Sequence, residues 1–197
     1  MDDDRYTYPG SSGVLINRFN IRNSSILDEV VNREVSIGLA QIYRHPPASM
    51  DWEGLKYIHQ LLFSRVFTWA GKLRTVDVTA VGTGIVYCRP EYIQENLDSL
   101  FSHLRRDDYL RGHDTETFVA SLARFWGELS AIHPFRDGNT RSQSAYITLL
   151  AREAGHPLNW QVIDVDRLRT ARLQSIAGRT INLKNLLQQS IEAGSAD

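Results

Sequence analysis

Residues 118–150, FVASLARFWGELSAIHPFRDGNTRSQSAYITLL, consist of two helical patterns with a short loop between them. Phe118, Leu122, Phe125, Leu129 and Ile132 recur at alternating spacings of four and three, with Trp126 beside them. That is the period of a helix with one apolar face, and the bulk of its side chains predicts the most buried helix of the chain. Tyr146, Leu149, Leu150 and Ala154, with Ala145 beside them, form a second apolar face. Gly155-His156-Pro157 ends it, because Gly takes the left-handed turn and Pro cannot continue a helix.

The helical period extends outward from this pair. A Ser24-Ser25 cap opens a first helix with Leu27, Val31, Val35, Leu39 and Ile42 on one face, widened by Ile26, Val30 and Ile37, and Pro46-Pro47 stops it near His45. Asp51 opens a second, with Leu55, Ile58, Leu61, Leu62 and Val66 inward, running to Trp69 before Ala70-Gly71. Pro90-Glu91 starts a third, with Tyr92, Ile93, Leu97, Leu100, Phe101 and Leu104 inward. Amphipathic helices are expected over Asp164–Ala177 and Leu183–Ala193, and no repeat of 20 to 50 residues is present. Only residues 73–88 change period: β-branched runs flank a Gly-containing turn, which predicts a hairpin. The expected fold is an all-α bundle with one small β-hairpin. Its organisation is an arm and first helix over 1–50, a core over 51–155, and C-terminal helices of the same domain over 156–197.

Of the 197 residues, 42% are apolar and 23% charged, which excludes a disordered or membrane-spanning chain. With a net charge of −1 there is no overall positive field, so neither direct nucleic-acid contact nor a membrane surface is expected. The single cysteine, Cys88, excludes an internal disulfide framework and a Cys-cluster metal site, and it suits a reducing cytoplasm. The acidic start MDDDRY lacks the positive region of a signal peptide.

The loop His133-Pro134-Phe135-Arg136-Asp137-Gly138-Asn139-Thr140-Arg141 holds the chemistry. Pro134 forces His133 out of helical geometry at the negative end of the buried helix, which favours a protonated or proton-accepting ring and suits a general base. Asp137-Gly138-Asn139 is a tight turn, and the next helix starts with several N–H groups aimed at one spot that can hold an anion. Arg141 adds a cationic fork for phosphate, and Asp137 a hard carboxylate of the kind Mg²⁺ takes beside substrate phosphates. A base, a phosphate cradle and a metal carboxylate are the parts needed to transfer a phosphate-containing group to a hydroxyl. Each residue alone also has a structural reading. Thr140 with Gln143 fits a capping box, Asp137-Gly138 a common turn, and Pro134 a helix stop. Their combination is what carries the assignment.

That combination resembles the signature of the Fic family, HPFx[D/E]GN[G/K]RxxR, at His133, Pro134, Phe135, Asp137, Gly138, Asn139 and Arg141. YPGSSGVLINRFNI from Tyr8 and FTWAGKLRTVDV from Phe67 also look like stand-alone bacterial Fic proteins. The resemblance implies transfer of AMP from Mg²⁺-ATP to a protein hydroxyl. In it His133 is the base, Asp137 the metal ligand and Phe135 the loop's anchor. Gly138, Asn139 and the following amides form an anion hole, with Arg141 on the phosphates. It further implies that residues 73–88 are a flap whose edge, Val81, Gly82, Thr83, Gly84, Ile85 and Val86, docks an extended target segment.

The chain departs from the family pattern at two positions. Thr140 stands where Gly or Lys is usual and Ser144 where a second Arg is usual; Arg136 is the nearby replacement. The family's inhibitory helix, S/TxxxE[G/N], is approached only by Ser25 to Glu29, followed by Val30, so control by a separate small antitoxin-like partner is expected. A kinase like the Doc proteins and a catalytically weak binding module are the alternatives. Trp52, Trp69, Trp126 and Trp160 read as core or edge aromatics. Arg167, Arg169, Arg172 and Arg179 read as a solvated face.

Overall fold

Asn23 turns the N-terminal arm into α1, Ser24–Arg44, by accepting the Ile26 N–H at 3.1 Å. The cap is therefore one residue before the serines expected to supply it. The computed structural model describes residues 5–80 and 82–194. Leu27, Val31, Val35 and Ile42 are buried on α1, whereas Ile26, Ile37 and Leu39 remain exposed, so the apolar stripe is narrower than its pattern suggested. Asp51 caps α2, Trp52–Phe63, by accepting the Glu53 and Gly54 N–H groups at 3.0 and 3.2 Å.

The second helix ends six residues before Trp69, and the arm explains why. Arg18 takes the Ser64 and Val66 carbonyls at 2.8 Å each, so both leave the helical ladder while Val66 and Phe67 stay buried. Next come α3, Ile93–Arg106; α4, Thr115–Ile132; α5, Asn139–Glu153; α6, Val165–Ile176; and α7, Ile181–Gly194. Asp114 and Asp164 cap α4 and α6 through the Thr117 and Arg167 N–H groups, both at 2.8 Å. Tyr92, expected inward, is exposed on the turn before α3.

As its pattern requires, α4 is the central helix, packed against α3, α5, α6 and α7, while α2 lies between α1 and α5. Phe118, Leu122, Trp126 and Leu129 on α4 and Tyr146, Ile147 and Leu150 on α5 are sealed from solvent. Burial of each such side chain contributes on the order of 2 kcal/mol, which holds the ends of α4 and α5, and the loop joining them, against one another.

The hairpin is much reduced. Among the described residues the flap carries one isolated bridge, Thr79 to Val86, and no named strand. Its backbone donors explain this: the Arg74 N–H goes to the Pro134 carbonyl at 2.9 Å and the Cys88 N–H to that of Ala131 at 3.0 Å. Both limbs are therefore tied to the end of α4 before they can pair with each other along their length.

Candidate active site

His133 caps α4 in the left-handed region, φ 48° and ψ 62°, where a residue with a Cβ needs its surroundings to hold it. Pro134 disfavours the right-handed alternative. Arg74 holds the conformation, because its buried guanidinium donates to the carbonyls of His133 at 2.8 Å, Ile132 at 3.3 Å, Val76 at 2.7 Å and Cys88. One side chain thus caps the negative end of α4 and joins it to both limbs of the flap. The imidazole itself is uncharged. Burial first, then the charges of Arg74 and Arg172, lower its pKa from 6.5 to about 3, against an opposing hydrogen bond that the ring donates to the Ser130 backbone. Of the two ring states expected at the helix end, the structure keeps the proton-accepting one.

The turn after it is locked from within. The Asn139 side chain accepts the Phe135 N–H at 2.9 Å and donates to the Phe135 carbonyl at 2.7 Å, so it braces the loop. Gly138 sits at φ 77°, and a Cβ there would lie 2.4 Å from the Phe63 ring, so both conformation and space demand glycine. Phe135 is buried, stacked 3.8 Å from His59. His59 Nδ1 accepts the Gly71 N–H at 2.8 Å, so its proton is on Nε2, donated to the Asp137 carbonyl at 2.9 Å. Burial lowers its pKa to about 4, which keeps this arrangement neutral.

Starting at Gly138, α5 leaves the N–H groups of Asn139, Thr140 and Arg141 without intrahelical acceptors, at the positive end of its dipole. A cleft of about 420 Å³ lies beside this turn. His133, Arg136, Asp137 and Thr140 line it from the loop, Val78, Thr79, Ala80 and Tyr87 from the flap, and Arg169, Arg172 and Leu173 from α6. Arg136 also lies 5.7 Å from the centre of the Tyr6 ring.

Arg141 is placed differently from the expectation: it pairs with Asp137 at 3.1 Å, lies over Phe63 and lines the neighbouring groove together with Ser144. The capping box is absent. Gln143 is buried and faces α4, donating to the Leu129 carbonyl at 3.2 Å, and the Thr140 hydroxyl accepts from Arg172 at 2.9 Å. Arg172 is therefore no part of a solvated face, and it joins His59 and Arg74 as site residues that sequence reasoning missed. No local pattern marks them, since each acts on residues far away in the chain.

Of the expected docking edge, Val81 lies outside the described residues. Gly82 and Gly84 take φ near 76° and 71°, and the Thr83 hydroxyl donates to Ala80 at 2.9 Å while accepting the Ile85 N–H at 3.2 Å. Val86 is exposed at the flap's outer limb.

The Fic/DOC family model matches residues 49–151. The chain is 31% identical to the probable protein adenylyltransferase Fic of Escherichia coli over 195 residues, covering 98% of this chain and 96% of that protein. It is 30% identical to the protein adenylyltransferase VbhT of Bartonella schoenbuchensis over 96% of this chain, but spans only 39% of that longer protein. In structure it is similar to the N-terminal FIC domain of Bep8 from Bartonella sp. 1-1C, with TM-score 0.89, 28% identity and coverage of 96% and 95% of the two chains. It is also similar to BepC of Bartonella tribocorum with bound AMPPNP, with TM-score 0.86, 26% identity and coverage of 95% and 96%.

Proposed function

The chain belongs to the Fic/DOC family, and from that premise we propose that it transfers AMP from ATP to a hydroxyl side chain of another protein and releases pyrophosphate. Relatives named protein adenylyltransferase and the nucleotide analogue bound to BepC support this reading. The observation that carries it is the uncharged imidazole of His133 in the same cleft as the N-terminal turn of α5. His133 accepts the proton of the target hydroxyl as its oxygen attacks the α-phosphorus, and the bond from that phosphorus to the oxygen bridging the α- and β-phosphates breaks, so that this oxygen leaves with pyrophosphate. The arriving phosphates answer the charges of Arg74 and Arg172 and so raise the ring's low basicity when it is needed. Backbone N–H groups of Asn139, Thr140 and Arg141 take phosphate oxygens.

Asp137 fits the role of Mg²⁺ ligand. Its Oδ2 accepts from Arg141, its side chain is 44% exposed, and Oδ1 is left for a hard cation. Among the described residues no group of three or more His, Cys, Asp or Glu could hold a metal, which accords with an ion held by one carboxylate, water and substrate phosphates. Bound there, Mg²⁺ would neutralise charge on the phosphates. The flap from Val81 to Val86 would receive an extended target segment by strand addition. No helix among the described residues is long and apolar enough to cross a membrane, and a reducing cytoplasm remains our proposed compartment. Control by a separate small protein partner is part of this proposal; Ser25 and Glu29 lie exposed on α1.

The test is transfer of label to lysate proteins from ATP labelled at the α- or the γ-phosphate, with a His133→Ala control. Label from the α position alone, lost in the variant, is expected. Label from the γ position would make the protein a kinase, no label would make it a binding module, and full activity without His133 would remove the mechanism.

A further inference from the structure

Arg172 is a buried cation whose protein partners are all neutral. The residue is 7% exposed, Nη1 donates to Thr140 Oγ1 at 2.9 Å, and Nη2 donates to Ser130 Oγ at 3.1 Å and Gln143 Oε1 at 2.8 Å. Gln143 Oε1 is shared further, with the Trp126 N–H at 3.3 Å and the Ser130 hydroxyl at 3.2 Å. Arg172 Nε is buried without an acceptor. Three of the five guanidinium donors are thus engaged, and two are left over.

A guanidinium taken out of water is costly unless an anion meets it. Burial lowers the pKa of Arg172 only to about 10, so the charge persists at neutral pH. Among the described residues lining the cleft the one carboxylate is that of Asp137, which pairs with Arg141, while Arg136 and Arg169 add positive charge around the same space. Thr140, which receives the Arg172 fork, is also part of the turn whose N–H groups are open.

We propose that Arg172, delivered from α6, is the arginine that binds the polyphosphate chain of the nucleotide in this cleft, with the Thr140 hydroxyl setting the direction of its guanidinium. The nucleotide's identity rests on the transferase reading above; the anion site does not. Ser144, one turn along α5, offers a hydroxyl where the family resemblance expects an arginine, and it lines the neighbouring groove. The cation for the phosphates therefore comes from a different helix. Thr140 carries the other departure from the family pattern, and here it is the hydroxyl that receives that cation.

The test is calorimetry on the full chain with Mg-ATP, inorganic tripolyphosphate and adenosine, together with transfer assays, for the wild type and for Arg172→Gln, Arg172→Lys and Thr140→Val. Arg172→Gln is expected to weaken both phosphate ligands about ten- to a hundredfold, the scale of a charged hydrogen bond, and to leave adenosine binding unchanged. Arg172→Lys should retain part of the phosphate affinity, and Thr140→Val should lose a smaller share than Arg172→Gln. Wild-type tripolyphosphate affinity in a folded Arg172→Gln protein overturns the proposal. So does an equal loss of ATP and adenosine in all three variants, which would mark a purely structural arginine. Tripolyphosphate binding that depends on Arg172 in a protein that transfers no label would remove the transferase reading and keep this one. Transfer that continues in Arg172→Gln with an unchanged KM for ATP would do the reverse.

Discussion

Tyr87 lies flat on the imidazole of His133, with ring centroids 3.7 Å apart and planes 13° from parallel. The flap is therefore packed directly on the base, and one face of the ring is kept from water. Tyr87→Ala should let water reach the imidazole, raising its pKa from about 3 toward the ordinary 6.5, and should lower transfer about three- to tenfold as the ring loses its orientation. Tyr87→Phe should preserve both. Titration of the ring by nuclear magnetic resonance, beside a transfer assay, measures the two effects.

Arg74 answers four carbonyls with one buried guanidinium. Arg74→Met should cost about 3 kcal/mol or more, because those acceptors lose their donor. It should also raise hydrogen exchange at the Tyr87 and Cys88 amides, whose bonds to Val78 and Ala131 hold the flap. Unchanged exchange there would show that the flap is held by something other than Arg74.

Gly138→Ala meets two penalties, a left-handed φ and the Phe63 ring. Together they should destabilise the protein by about 2–4 kcal/mol and abolish transfer, since the turn that aims the N–H groups of α5 must shift. Urea unfolding gives the first figure, and a loss below about 1 kcal/mol would contradict the packing described.

His59 makes stability depend on pH. Its folded pKa is about 4, below its ordinary 6.5, so between these values the unfolded chain binds a proton that the native state does not. Stability therefore rises with pH across this window and is lost as pH falls, by about 3 kcal/mol near pH 4 relative to pH 7. His133, lowered from 6.5 to about 3, adds to the same slope from pH 6.5 downward and carries it on to about pH 3. Denaturant midpoints between pH 4 and 7 should follow this slope in the wild type and a shallower one in His59→Gln. Equal slopes would show that His59 does not titrate as described.

Much of the fold was legible in the apolar spacing, because a helix repeats its environment every three or four residues and its caps are local. Asp51 and Asp164 were readable as helix starts for that reason. The second helix failed at its C-terminal end, where Arg18 withdraws carbonyls that the pattern assigned to the helix. The small hairpin was legible too, and only its shortness was not, since Arg74 and Cys88 spend their N–H groups on the end of α4.

By itself the sequence determined the helical class and the loop that carries His133, Asp137 and Gly138, since both are written in neighbouring residues. It also determined the family. The tertiary structure alone decided that the imidazole is neutral, that Asn139 braces its own turn and that Arg141 turns toward Asp137. It decided too that Arg172, 32 residues beyond Thr140, enters the cleft from a different helix. The physical reason is that desolvation, charge and hydrogen-bond partnership depend on what stands nearby in space, and for these residues the neighbours are contributed by other elements of the fold.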